Sequence, residues 1–207
     1  MIAATESPPQ EFHCPKSMRV DCERVFRGEY DIAYEHPAPV VLDVGANVGS
    51  FALWARWRWP GSVIHCYEPL PFNLECLGKN VGSMPEIVVH PHAIGNPEHT
   101  RLRLGKHSCG EPSFFDIGEQ LEEYVEVVSQ WPNVMPEAQI LKLDVEGAEV
   151  EILEHAQIRF DAIMLEYHSE ANRRRVDRIL RDYVLVGSHV YCPNRGVVRY
   201  LRQSLVK

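Results

Sequence analysis

Apolar residues in this chain fall into short β-branched runs that alternate with stretches of helical period. VVLDVG (40–45) reads as a strand. Behind a tight turn, NVGSFALWARWRW (47–59) reads as a helix, with Phe51, Trp54, Ala55 and Trp57 apolar until Pro60-Gly61 stops it. SVIHCYEP (62–69) is a second strand, FNLECLGKNVG (72–82) a helix ended by glycine, and EIVVHPHAIG (86–95) a third strand. Strands alternating with helices predict a parallel sheet covered on both faces, because right-handed crossovers place the helices there. From 96 to 135 the pattern changes to short strand-like pieces, RLRLGK (101–106) and EYVEVVS (123–129), read as an inserted hairpin or lid. The alternation resumes with strand QILKLDV (139–145), helix EGAEVEILEHA (146–156), strand DAIMLEYH (161–168) and helix ANRRRVDRILRDY (171–183). YVLVGSHVY (183–191) and GVVRYLR (196–202) are joined by a link too short for a crossover, so they pair antiparallel. Residues 1–38 form a lead-in, with a short helix or strand around Cys22–Tyr30 and a candidate role as substrate cap, and 39–207 form one α/β domain.

Composition narrows the partners. With 207 residues, 45% hydrophobic and 24% charged, the chain has the length and apolar content of one globular domain. Its longest stretches free of charged residues, 44–55 and 183–194, are shorter than a membrane span requires. A net charge of −8 argues against nucleic acid and anionic lipid as partners. The first ten residues lack a basic start and an apolar core, so a cytoplasmic location is expected. The six cysteines are scattered and read as free thiols; a zinc site from Cys14, Cys22, His107 and Cys109 is the alternative.

Three short segments carry candidate chemistry. Asp43-Val44-Gly45-Ala46-Asn47-Val48-Gly49 lies where a strand turns into a helix, with glycines that let the backbone approach a ligand. An acid two residues before the first glycine repels a pyrophosphate and welcomes an ammonium or sulfonium group, which points to S-adenosylmethionine rather than NAD. Glu68 closes the second strand, 25 residues after Asp43, where an acid accepts hydrogen bonds from the ribose hydroxyls of an adenosine ligand. Asp144 ends the fourth parallel strand, facing the reactive end of such a ligand. Glu146 and Glu149 follow it, either in the site or charging the first turn of the next helix.

VVLDVGANVGSFAL, CYEPLPFNLECLGKNV, HPHAIGN, ILKLDVEGAEVEIL and IMLEYH, in this order, resemble the FkbM family of S-adenosylmethionine-dependent methyltransferases. The resemblance implies a Rossmann-like class I methyltransferase: α/β, a seven-stranded mostly parallel sheet with an antiparallel last strand, and helices on both faces. It carries Asp43, Gly45, Asn47 and Gly49 over as contacts to the methionine end of the cofactor and Glu68 as the ribose acid. His92, Ala93 and Ile94 are carried over as flanking the adenine, and Asp144 with Glu146 as the methyl-transfer side. Asn73 also fits the family's pattern, and reads locally as a helix cap. The chain departs from the family in reaching its first strand by residue 40 and in the loop GKHSCGEPSF, which leaves the acceptor open.

The function expected is O-methylation of a hydroxyl on a sugar, glycan or secondary metabolite. The alternatives are a non-catalytic S-adenosylmethionine-binding module or an N-methyltransferase acting on a small molecule or protein. An alcohol is a poor nucleophile, so a general base is expected among Asp144, His168 and Glu166. The bland reading of His168 is a strand-end histidine bonded to a neighbouring loop. No metal is expected; Asp144, Glu146, Glu166 and His168 are the candidate ligands if a hard divalent cation takes part. Arg173, Arg174 and Arg175 read as a solvated helix face rather than an anion clamp, and Trp54, Trp57 and Trp59 as packing. Monomer and homodimer stay open.

Overall fold

The computed structural model describes residues 8–9, 11–98, 101–104, 112–113, 123–157 and 159–206. Helix α1 (Arg19–Phe26) precedes strand β1 (Val40–Val44), α2 (Ser50–Arg58), β2 (Val63–Tyr67), α3 (Pro71–Val81) and β3 (Ile87–His90). After β4 (Ala93–Ile94) come β5 (Arg101–Leu104), β6 (Pro112–Ser113), β7 (Glu123–Glu126) and β8 (Ser129–Gln130). The chain continues through β9 (Ile140–Leu143), α4 (Glu149–His155), β10 (Ala162–Tyr167) and α5 (Glu170–Ile179). It closes with the hairpin β11 (Tyr183–Cys192) and β12 (Arg195–Arg202).

Seven strands form one sheet in the order β11-β12-β10-β9-β1-β2-β3. The strands from β10 to β3 are mutually parallel, and β12 runs antiparallel to both of its neighbours. The last strand is therefore slotted one place inside the edge. Alternate residues of each strand point to opposite faces, which divides the core in two. Val41, Ile64, Ala162 and Met164 pack with Phe26, Phe51, Trp54 and Leu77 on the α1–α2–α3 side. Leu42, Val44, Leu141, Leu143, Ile163 and Leu165 pack with Ile152, Leu153 and Val176 on the α4–α5 side. Every residue of β9 and of β10 is buried, as strands covered on both faces must be.

Several boundaries differ from the periodic reading. EIVVHPHAIG is not one strand: Pro91 supplies no N–H for a ladder, so β3 ends at His90 and β4 instead pairs in parallel with β8. In the 96–135 insertion β5 pairs antiparallel with both β6 and β7, a small sheet separate from the main one. The helix expected from 146 starts only at Glu149, because Glu146 (φ 51°) and Gly147 (φ 109°) are left-handed. Helix α5 begins at Glu170, one residue earlier than expected, where Ser169 Oγ accepts the Asn172 N–H at 3.0 Å. Its arginines are tied to carboxylates, Arg173 to Glu170 and Asp177, Arg174 to Glu170, and Arg175 to Glu154. Trp54 and Trp59 are buried. Among the described residues no helix is long and apolar enough to cross a membrane. Cys14, Cys22, Cys66, Cys76 and Cys192 are free thiols; His107 and Cys109, half of the alternative zinc set, lie outside the described residues.

Candidate active site

The carboxyl ends of β1, β2, β9 and β10 open on a cleft of about 1130 Å³, its mouth included. Three left-handed residues, Gly45 (φ 79°), Asn47 (φ 50°) and Gly49 (φ 90°), fold the β1–α2 connection back on itself. The N–H groups of Gly45 and Ala46 both donate to Tyr67 O at 3.0 Å, pinning the turn to the end of β2. A Cβ on Gly49 would lie 2.7 Å from Leu77 Cδ1, so the second glycine sets how closely α3 approaches.

Glu68 follows β2 and is 4% exposed. Its Oε2 accepts the Asn47 N–H at 2.8 Å, and its Oε1 accepts the Leu70 N–H at 2.9 Å and Asn73 Nδ2 at 3.3 Å. Asn73 is thus not the cap of α3, whose N-cap is Leu70; its side chain turns inward to hold the carboxylate. Burial raises the Glu68 pKa to about 7, although these donors and the charge of Lys142 pull it back. Ala93 and Ile94 from β4, with Tyr67 and Leu70, line an apolar slot beside it. His92 packs edge-on against Tyr67, with ring centroids 5.5 Å apart.

Asp43 needs correction as a ligand-facing acid. It is fully buried, and its carboxylate lies 3.1 Å from Lys142 Nζ, its register partner on the adjacent β9. Lys142 also donates to Gly45 O at 2.5 Å, so the pair joins the central strands beneath the glycine turn. Asp43 acts by placing Gly45, and its charge is already neutralised. Burial raises its pKa against the pull of Lys142.

The opposite end of the cleft is acidic. Asp144, Glu146, Glu166 and Glu29 line it, with Arg24 and Lys142 as the basic residues of the wall. Tyr30, fully buried, donates its hydroxyl to Asp144 Oδ2 at 3.4 Å. Glu166 accepts from Arg195 on the β11–β12 hairpin, and burial followed by the charge of Asp144 raises its pKa. The roof is tied across the fold: Tyr191 of β11 donates to Glu29, and Arg24 of α1 lies over the Tyr191 ring at 4.7 Å and 3.4 Å from Glu29. Tyr30, Glu29, Arg24, Lys142 and Arg195 belong to none of the three motif segments' candidate site residues. Of these, only Lys142 carried a local signal, a lysine inside the apolar run QILKLDV.

His168 lies beside the cleft rather than on its wall. Its Nδ1 is 3.0 Å from Glu149 Oε1, and its Nε2 is 3.2 Å from Glu146 Oε2 and 3.6 Å from Glu166 Oε1. Burial alone would lower its pKa, but Glu146 and Glu149 outweigh burial and hold it at about 12. These carboxylates favour the protonated ring, which runs against His168 as the general base. The surrounding carboxylates demand a cation at this point, and the protonated ring is one way to supply it.

The family model described as the Methyltransferase FkbM domain matches residues 43–185. Methyltransferase sdnD of Sordaria araneosa is 24% identical over 197 aligned residues, covering 74% of this chain and 76% of that protein. A stretch of 44 residues is 46% identical to the 31-O-demethyl-FK506 methyltransferase FkbM of Streptomyces tacrolimicus, covering 21% of this chain and 17% of that one. Among solved structures, the methyltransferase FkbM from Methylobacillus flagellatus superposes with a TM-score of 0.55 at 17% identity, over 92% of this chain. The chain spans 48% of the length of that structure, about half. Fibrillarin from Aeropyrum pernix, solved with natively bound S-adenosyl-L-methionine, gives a TM-score of 0.56 at 12% identity over 88% of this chain and 74% of that one. The likeness to the two structures is one of fold. Because the family model runs through both the glycine turn and the acidic strand ends described above, the chain belongs to the FkbM family of methyltransferases.

Proposed function

We propose that this chain transfers the methyl group of S-adenosylmethionine to a hydroxyl oxygen of a sugar, glycan or secondary metabolite. The observation that carries the reading is the Glu68 carboxylate, fixed between the glycine turn and an apolar slot and facing a second acidic group across one cleft. The residues present fit the cofactor. Glu68 has about four lone-pair positions and the chain fills three, which leaves Oε2 open to a ribose hydroxyl. Asn47 Oδ1 and Asn73 Oδ1 are buried acceptors without a donor, available to the remaining hydroxyl and to the ammonium group. Tyr67, Leu70, Ala93 and Ile94 fit an adenine ring.

When bound, S-adenosylmethionine supplies a methyl group on a sulfonium, open to in-line displacement by an acceptor oxygen. Asp144 and Glu166 stand at that end of the cleft, where they orient the acceptor hydroxyl and receive its proton. The roof of α1 and the β11–β12 hairpin holds the acceptor against them. Support for oxygen as the nucleophile comes from this carboxylate pair and from the O-methylation named for the Streptomyces relative.

In thermal-shift measurements S-adenosylmethionine and its demethylated product raise the melting temperature, and NAD does not. With labelled methyl donor, hydroxylated acceptors take up label and the corresponding amines do not. Label appearing only on amines overturns the O-methylation reading.

Glu68→Ala removes one charge-assisted hydrogen bond, about 1.5–3 kcal/mol. The expected result in calorimetry is about 10- to 150-fold weaker binding of the demethylated cofactor. The wild-type affinity is also pH-dependent. The ribose hydroxyl donates to the ionised carboxylate, so with a pKa of about 7 the affinity falls about tenfold from pH 8 to pH 6. Without ligand the sign reverses: a carboxyl raised above its unfolded value makes stability fall as pH rises from about 4.5 to about 7 and level off above. Glu68→Gln flattens both profiles.

A further inference from the structure

The imidazole of His168 has no part in holding the cofactor, yet it stands among three carboxylates at the strand ends. Asp144 directly follows β9, His168 directly follows β10, and Glu146 lies between them on a left-handed residue. One ligand atom from each of Asp144, Glu146 and His168 lies within 4.8 Å of the other two. Two carboxylates and one imidazole in that span are the donor set of a hard or borderline divalent cation such as Mg²⁺ or Mn²⁺.

A second, separate observation concerns the orientation of the ring. Glu149 is 1% exposed, and its Oε1 accepts the Gly147 N–H at 3.0 Å while lying 3.0 Å from His168 Nδ1. A carboxylate only accepts, so Nδ1 carries a hydrogen toward Glu149, and Nε2 presents its lone pair once a cation displaces the proton that it holds toward Glu146. That Nε2 is shielded from solvent and has no hydrogen-bond partner, although Glu146 and Glu166 oxygens lie 3.2 and 3.6 Å away. A histidine held by a buried carboxylate on one nitrogen, with the other aimed at two acids, has the outer-shell arrangement of a metal ligand. The second Glu149 oxygen is also buried without a partner, which adds to the negative charge around this point.

We infer that Asp144, Glu146 and His168 bind one divalent cation, Mn²⁺ or Mg²⁺, which seats the acceptor through its hydroxyl. This rests on the methyl-transfer reading for its purpose, but not for the existence of the site. Three protein ligands would leave room in the shell of such a cation for an acceptor that offers two neighbouring oxygens, such as a vicinal diol or a hydroxy-carbonyl group, and Asp144 and Glu146 line the cleft. The acceptor O–H bond breaks and its proton goes to Glu166. The oxygen then forms the new C–O bond as the C–S bond breaks, and the sulfur keeps that electron pair as a thioether. The cation stabilises the alkoxide and changes no oxidation state.

The test uses the full chain stripped with a chelator and titrated with Mn²⁺ alone, free Mn²⁺ being read by electron paramagnetic resonance. The expected result is one ion per chain, bound at least tenfold more weakly by Asp144→Asn, His168→Gln and the positioning variant Glu149→Gln. Glu170→Gln, on the solvent face of α5, leaves it unchanged. Each variant is first required to keep the thermal shift given by the demethylated cofactor, which reports an intact fold and Glu68 site. Absence of bound Mn²⁺ at millimolar concentration, or equal binding by wild type and all three site variants, overturns the proposal. Mn²⁺ bound at this site without methyl transfer to any hydroxylated acceptor upholds the cation site and overturns the O-methylation reading instead.

Discussion

Lys142→Ala lowers the stability of the protein by about 3–5 kcal/mol, because it leaves the Asp43 carboxylate fully buried with no countercharge. For a chain of this size each kcal/mol moves the melting temperature by about 2–4 °C, so a fall of roughly 6–20 °C is expected in a calorimetric scan. The loss has a pH signature. Without lysine the carboxyl is relieved only by taking a proton, so the gap between variant and wild type narrows toward pH 4. The double replacement Asp43→Leu with Lys142→Met recovers most of the loss, since exchanging a buried ion pair for apolar side chains of similar volume is often neutral. If the double variant is no more stable than Lys142→Ala, the deficit comes from packing rather than from an orphaned charge. Lys142 holds Gly45 O as well as Asp43, so cofactor affinity falls even where the fold survives.

Gly45→Ala is the second large effect. At φ 79° an alanine costs about 1–2 kcal/mol, and its Cβ would be placed 1.8 Å from the carbonyl oxygen of Asp144. That oxygen belongs to backbone at the end of β9 and has no rotamer to escape into. Moving it strains the Asp144 N–H to Val44 O bond at 3.1 Å and displaces the carboxylate of the reacting end. Overpacking of this kind adds about 1–3 kcal/mol, for a total of about 2–5 kcal/mol and loss of cofactor binding. Gly78→Ala is the matched control. It lies inside α3 with nothing within 4 Å of the new Cβ, so chemical denaturation shows a gain of about 0.5–1 kcal/mol. Equal effects at the two glycines would show that the turn geometry at Gly45 is not what matters.

What the sequence could disclose follows from the range of the interactions. The units β1–α2–β2–α3–β3 and β9–α4–β10–α5 were legible because apolar period and glycine punctuation are local. Gly45, Asn47, Gly49, Glu68 and Asp144 stood out in the sequence because each sits at or just beyond a strand end, a position that local pattern marks. Asp43 was misjudged for the opposite reason. Its partner is 99 positions away and becomes a neighbour only when β1 and β9 pair in register. Glu29 with Tyr191 and Glu166 with Arg195 are likewise long-range pairs, and no window of sequence connects them. His168 stood out as chemically loaded, but its surroundings required knowing that Glu149, the first residue of α4, turns back onto its ring.

The placement of β12 between β10 and β11 gives the molecule an order of completion. The residues of the glycine turn, Glu68 and the apolar slot all precede residue 95 and leave a ribosome long before residue 195, although Lys142 anchors the turn only once β9 has followed. At about 5–20 residues per second the interval is several seconds, during which β1, β2 and β3 pair while Glu166 still lacks Arg195 and Glu29 lacks Tyr191. A nascent chain therefore gains its nucleoside pocket first and its acceptor end last. Arrival of the β11–β12 hairpin, which carries both Tyr191 and Arg195, completes the cleft.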